Sequence, residues 1–150
     1  MAEEDLGEVT AIEAATYPDP WPYEALAFEL KQNPFCRCFV AEDGGGVAGY
    51  AFVWVVYEMA HLINIAVAAD RRGEGFGEAL LRHVLACARG SGAEMIHLEV
   101  RDNNTPAVAL YQKYGFAIRG RKESYYKDGT AALLMDAPLV GPMHPPEDHR

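Results

Sequence analysis

Arg71-Arg72-Gly73-Glu74-Gly75-Phe76-Gly77 stands between an apolar run, His61 to Ala68, and a run of helical periodicity that begins at Phe76. Glycines at alternate positions let the backbone turn tightly. The amides that open the following helix lack intrahelical partners and carry the positive end of its dipole, so they can face an anion. A phosphate-bearing ligand is one expectation for this loop. An ordinary glycine-rich surface turn is the other, because short glycine patterns are common. The flanks must decide between them.

Upstream, Leu62, Ile63, Ile65 and Val67 make an almost continuous apolar run, the pattern of a strand buried on both faces. Downstream, Phe76, Leu80, Leu81, Val84, Leu85 and Ala88 recur at the spacing of an amphipathic helix, which Gly90-Ser91-Gly92 closes. Met95 to Val100 then supplies another strand. Strand, loop, helix and strand with short returns form a right-handed crossover, which sets its two strands side by side and parallel. The glycine loop therefore falls at their carboxyl ends.

Toward the amino terminus, Leu6, Val9, Ile12 and Ala15 predict a helix from Asp5 that ends at Tyr17-Pro18-Asp19-Pro20. Pro22 suits the first position of a second helix, which runs through Leu26, Phe28 and Leu30 to Asn33-Pro34. Cys38 to Ala41 and Val47 to Tyr57 read as a hairpin across Asp43-Gly44-Gly45-Gly46. Toward the carboxyl terminus, Asn103-Asn104-Thr105-Pro106 starts a helix, with Thr105 as a candidate cap, that continues to Gly115. Phe116 to Tyr126 and Ala131 to Leu139 predict a last strand pair around Lys127-Asp128-Gly129-Thr130. Residues 1–140 are expected to make one domain, and Gly141 to Arg150, with three prolines and no apolar periodicity, a disordered tail.

The 150 residues, half of them hydrophobic, suffice for one core. A net charge of −9 speaks against nucleic acid as a partner and favours cationic ones, a basic peptide or an amine. Three cysteines form no even framework, which points to a reducing compartment. No signal peptide or membrane-length apolar run is visible, so a soluble, cytoplasmic protein with no membrane partner is expected. His61, His83 and His97 have no ligand spacing along the chain, and no metal is expected.

Three blocks carry a family resemblance. They are Asn64-Ile65-Ala66-Val67 feeding Arg72 to Leu81, then Leu98-Glu99-Val100-Arg101-Asp102-Asn103-Asn104, then Ala107-Val108-Ala109-Leu110-Tyr111 through Gly115-Phe116. In this order they resemble the GNAT superfamily of N-acetyltransferases, and within it the RimI-like acetyltransferases of protein N-terminal alanine, from about Leu6 to Leu139. The resemblance implies an α/β (α+β) GNAT fold: a single mixed, mostly antiparallel sheet with a central parallel strand pair that splays, and helices on both faces. Acetyl-coenzyme A (acetyl-CoA) would lie in the opening.

The resemblance also implies roles. Arg72, Gly73, Glu74, Gly75, Phe76 and Gly77 would hold the coenzyme pyrophosphate. A bulge near Ile65, Ala66 and Val67 would pair with the pantetheine arm and offer an amide to the oxyanion. Glu99 would be the general base, acting through a water, and its partial burial is expected to raise its pKa. Tyr111 would protonate the leaving thiolate, and Asn104 would contact the coenzyme. Tyr125 and Tyr126 match an aromatic pair beside the acceptor's amino end, with Trp21 on the opposite wall. The same residues also have structural readings without the family pattern: surface arginine, core aliphatics, strand-edge acid, helix start and packing aromatics.

A peptide α-amine titrates near about 8 and a lysine side chain near about 10.4, so the α-amine is the easier nucleophile to present neutral. The expected reaction is direct acetyl transfer, in a ternary complex, to the N-terminal α-amine of a protein or peptide. Ribosomal protein S18 is one candidate. A polyamine, amino acid or aminoglycoside is the alternative acceptor, and a non-catalytic acyl-CoA sensor is the alternative of another class. RimI-like chains begin with a strand before the first helix, whereas only Met1 to Glu4 precede it here, so that strand is expected to be very short or missing. The expected state is a monomer or weak dimer.

Overall fold

The computed structural model describes residues 1–139, and the predicted tail from Gly141 lies outside the described residues. The periodic segments fold as helices where the spacing places them. Helix α1 (Leu6–Thr16) buries Leu6, Val9 and Ile12, and α2 (Tyr23–Lys31) buries Leu26. Pro22 is extended, with ψ 163°, so it flanks α2 as the N-cap instead of occupying its first turn. Strands β1 (Cys36–Glu42), β2 (Val47–Val56) and β3 (Met59–Val67) precede α3 (Phe76–Gly90). Strand β4 (Met95–Arg101), helix α4 (Thr105–Lys113) and strands β5 (Ala117–Lys122) and β6 (Ala132–Pro138) complete the order.

The six strands form one sheet in the order β1-β2-β3-β4-β6-β5, antiparallel throughout except for β3 with β4. Residues Glu3–Asp5 form a single 3-10 turn running straight into α1, so no strand precedes that helix among the described residues. Strand β1 is one edge. Helices cover both faces: Leu81, Val84 and Ala88 of α3 pack with Ala51, Val53, Ile96 and Leu98, while Leu6, Val9 and Leu26 pack with Tyr50 and Phe52 on the other side.

Strand β2, not the strand before the glycine loop, is buried on both faces along nearly its whole length. Its neighbours β1 and β3 flank it, and helices lie above and below. Strand β3 instead alternates, because beyond His61 it has no partner on its β4 side. The β3–β4 ladder consists of Met59↔Met95, Ala60↔Ile96 and His61↔His97. After these pairs β3 continues along β2 to Val67 and β4 along β6 to Arg101, and the gap between them opens.

The expected bulge lies upstream of Ile65 to Val67. The register slips between Phe52↔Asn64 and Val53↔Leu62, which makes Ile63 the extra residue. This slip reverses which side chains face which helix layer. Leu62 packs toward α3 before it and Ile65 and Val67 after it, leaving Asn64 and Ala66 toward α1. Two other expectations shift. Strand β5 ends at Lys122, because Ser124 takes a left-handed conformation (φ 51°), so Tyr125 and Tyr126 lie in the connection to β6. The cap of α4 is Asn104, whose side chain accepts from the Ala107 amide at 3.3 Å, and Thr105 is the first helical residue.

Gly49 reports how closely α3 lies on this sheet. A Cβ there would sit 2.8 Å from the Ala66 carbonyl oxygen and 3.0 Å from Leu80 Cδ1. Backbone cannot yield as a side-chain tip can, so Gly49→Ala is expected to cost about 1–3 kcal/mol. A lowered urea midpoint with an unchanged slope would register it.

Candidate active site

The gap between β3 and β4 is a cavity of about 600 Å³. Leu62 to Val67 and Leu98 to Arg101 form its sides, and Gly77, Asn104, Ala107, Leu110 and Tyr111 add walls from α3 and the start of α4. A second cavity of about 400 Å³ adjoins it, and the two share Trp21, Ile63, Glu99 and Tyr125. Glu99 thus stands where the two spaces meet.

The glycine loop is built around its backbone. Gly73 and Gly75 have φ of 82° and 91°, and a Cβ at either would meet nothing within 4 Å, so the requirement is conformational and not steric. Gly75 is the N-cap of α3, accepting from the Ala79 amide at 3.0 Å, and no side chain among the described residues caps the helix. Glu78, in the first turn, reaches instead to Lys113 Nζ at 2.8 Å and to the Tyr114 hydroxyl. Among the described residues the first amides of α3 are therefore left without a side-chain acceptor, as an anion would need.

The arginines divide their work. Arg71 is paired with Asp43 and Glu74 and lies 5.0 Å above the Phe76 ring, so Glu74 and Phe76 brace the loop. Arg72 turns back, its Nε donating to the Val67 carbonyl at 3.2 Å. Of the loop residues, Gly77 reaches the cavity wall, whereas Arg72, Gly73, Glu74, Gly75 and Phe76 do not.

On β3 the backbone faces the gap at every second residue. The Tyr17 hydroxyl donates to the Ile65 carbonyl and Arg72 to that of Val67, while the Ala68 amide donates to Ala48 on the β2 side. Because one strand residue points its N–H and C=O the same way, the Ile65 and Val67 amides face the opening. Ala66, expected to share this role, has its peptide groups turned toward β2.

Glu99 departs from expectation. Its carboxyl is held below the ordinary carboxylate range, first by its hydrogen bond with His61, Nε2 to Oε1 2.8 Å, against the opposing effect of partial burial. His61 in turn stacks on His97, ring centroids 4.2 Å apart, and meets Trp54 edge-on. Sequence spacing missed this trio, since its members approach across strands. The signal was the parallel register, which sets His61 opposite His97 with Glu99 two residues on, along the same face.

Tyr111 is buried, and burial pushes its phenol up to about 12, with a smaller contribution from Tyr126. Among the described residues its hydroxyl has no hydrogen-bond partner, although it borders the main cavity. Such a group calls for a ligand or water. Tyr125 and Tyr126 meet edge-to-face at 5.0 Å, and the Arg101 guanidinium, held by Asp128 at 2.8 Å, lies 4.2 Å over Tyr126. Burial raises the Tyr126 phenol to about 12 as well.

Across the gap, Glu13 of α1 is almost fully buried and was not anticipated. It accepts from the Tyr50 hydroxyl, from Asn64 Nδ2 at 2.8 Å and from the Trp21 amide at 3.0 Å. This anchors Trp21, together with Tyr17, on the wall facing Tyr125.

Comparison with known proteins agrees with this geometry. A family model described as the acetyltransferase (GNAT) family matches residues 6–116. A Bacillus subtilis (strain 168) protein provisionally named as a ribosomal protein bS18-alanine N-acetyltransferase is 38% identical over 136 residues, 90% of each chain. An N-alpha-acetyltransferase of Sulfurisphaera tokodaii is 34% identical over 148 residues, covering 90% of this chain and 88% of its own. The crystal structure of the ribosomal-protein-S18-alanine N-acetyltransferase from Escherichia coli superposes with a TM-score of 0.86 at 32% identity, covering 95% of this chain and 93% of that one.

Proposed function

From the premise that this chain belongs to the acetyltransferase (GNAT) family, we propose that it transfers an acetyl group from acetyl-CoA to the N-terminal α-amine of a protein or peptide. Relatives named for the alanine of ribosomal protein bS18 supply the first acceptor to test. The observation that carries the reading is one cavity bordered by Glu99, Tyr111 and the gap-facing edge of β3. It brings a candidate proton acceptor, a candidate proton donor and two backbone amides to one cavity.

In this reading the unpaired amides opening α3 hold the pyrophosphate of the co-substrate, and the β3 amides hold its arm and the thioester oxygen. Asn104 has its oxygen engaged at the α4 cap, so a contact with the coenzyme would use its amide nitrogen. The α-amine nitrogen attacks the thioester carbonyl carbon, the C–N bond forms and the C–S bond breaks. The amine's proton passes to Glu99, which His61 holds in position. The sulfur leaves against the Tyr111 hydroxyl. A phenol at about 12 is a weak acid beside an ordinary thiol at about 8.5. A thiol leaving into the same buried surroundings would be raised as well, so Tyr111 would act by a strong hydrogen bond that passes its proton late.

Tyr111→Phe is accordingly expected to lower kcat by about 10- to 100-fold, the worth of one hydrogen bond to a charged group. Its thermal midpoint should stay at the wild-type value, because the lost hydroxyl has no protein partner among the described residues. Thiol release measured on the same preparation as the melting curve separates the two effects.

Acceptor class is tested by thiol release with peptides that differ in their first residue, the bS18 amino terminus among them, alongside spermidine and an aminoglycoside. Preference for a peptide with a small first residue is expected. Faster turnover of spermidine or the aminoglycoside would replace the peptide reading with small-molecule acetylation, and coenzyme binding without any turnover would make the chain a sensor.

A further inference from the structure

We propose that His61, His97 and Glu99 form a binding site for a borderline transition-metal ion of the Zn²⁺ class, and that filling it shuts off acetyl transfer. One ligand atom from each residue lies within 4.8 Å of the others. Two imidazoles and a carboxylate are a donor set that Zn²⁺ takes in sites with an open fourth position. Oxygen-seeking Mg²⁺ and Ca²⁺ prefer sites without imidazole.

The scaffold prepares this arrangement. His61 and His97 are directly paired across the last rung of the parallel ladder, where adjacent strands run about 4.8 Å apart. Their rings lie 4.2 Å apart and nearly parallel, so they must turn out of the stack to aim one nitrogen each at a shared ion, and His61 Nε2 is 2.8 Å from Glu99 Oε1. Zinc bond lengths near 2.0–2.2 Å in a tetrahedron require ligand atoms about 3.3 Å apart. The His61–Glu99 contact must open by a few tenths of an ångström and the wider separations must close, movements within reach of side-chain torsions on a fixed sheet. All three residues are partly exposed, and His61 and Glu99 line the smaller cavity, so an ion has a route in.

The inhibitory half rests on the proposed base role of Glu99. A carboxylate bound to a dication loses most of its basicity toward the amine's proton, and an ion on Glu99 stands where the two cavities meet.

The test uses the full chain with Zn²⁺ by titration calorimetry and Co²⁺ by visible spectroscopy. One ion per chain is expected, with Co²⁺ bands of nitrogen and oxygen ligation and no thiolate charge-transfer band. His97→Phe keeps a ring against His61 and leaves the proposed transfer residues in place. It should retain basal thiol release yet weaken Zn²⁺ by about 100-fold or more, since even groups behind the ligands cost 10- to 100-fold. The Zn²⁺ concentration that halves activity should rise in parallel.

His61→Gln, followed by binding alone, guards against misfolding of the first variant. Absence of one-to-one binding, or unchanged affinity in a folded variant, overturns the site. A thiolate band does so too, because it would place the ion on Cys36 and Cys38, whose sulfurs are 3.6 Å apart. Binding lost with His97→Phe but without inhibition of the wild type overturns the shut-off alone. Binding in a chain inactive toward every amine leaves the site standing and refutes the proposed function.

Discussion

Glu99→Gln is expected to lower kcat/KM toward a peptide amine by about 100- to 10,000-fold, the range a positioned general base contributes. The substitution preserves size and can keep a hydrogen bond to His61, now 2.8 Å from the carboxylate, so the sheet and both cavities should stand. What it removes is the negative oxygen proposed to receive a proton as the C–N bond forms. Since Glu99 is proposed to act on the acceptor amine and not on the coenzyme, coenzyme binding should change little while turnover collapses. Single-turnover thiol release, paired with calorimetric titration of CoA, measures both quantities. Turnover within a few-fold of wild type at every pH would dismiss Glu99 as the base and turn attention to His61.

The other large effect concerns stability. Glu13→Leu is expected to destabilise the fold by about 3–5 kcal/mol, because each buried donor left without an acceptor costs about 1–3 kcal/mol. Two such donors, the Tyr50 hydroxyl and the Asn64 side-chain amide, are themselves buried, and the Trp21 backbone amide is a third group that loses its acceptor. Leucine fills the volume but offers no oxygen. Glu13→Gln keeps one and should lose about 1 kcal/mol. Denaturant unfolding of the three proteins ranks them, and a leucine variant as stable as the glutamine variant would mean that the network contributes no net stability. Because Tyr17 and Trp21 follow Glu13 along the cleft wall, the leucine variant should also raise KM for the peptide above that for acetyl-CoA.

Much of the architecture could be read along the chain because its determinants are local. Positive φ at Gly73 and Gly75, the apolar periodicity of α3 and the short returns around it concern residues within about one supersecondary unit. The three matched blocks named the family on the same terms. Errors arose where a local pattern met a tertiary competitor. The apolar run of β3 looked buried on both faces, but parting from β4 after His61 exposed one side of it. Thr105 was an acceptable cap in isolation, and Asn104 took the position because its oxygen reaches the Ala107 amide. Glu99 was expected to gain a proton through burial, and the hydrogen bond from His61 outweighs that.

The sequence by itself determined the frame of the proposed donor side: a glycine turn opening a helix at the carboxyl end of a strand, in a crossover that brings the next strand alongside. Those are consequences of backbone conformation and side-chain period, which neighbouring residues set. Only the tertiary structure decided the surroundings of the proposed chemistry. His61 and Glu99 are 38 residues apart and Glu13 and Asn64 are 51 apart, and each pair meets because strand register and helix docking place them there. Burial and partnership set the charge and basicity of such groups, and neither is a property of a residue and its neighbours in the chain.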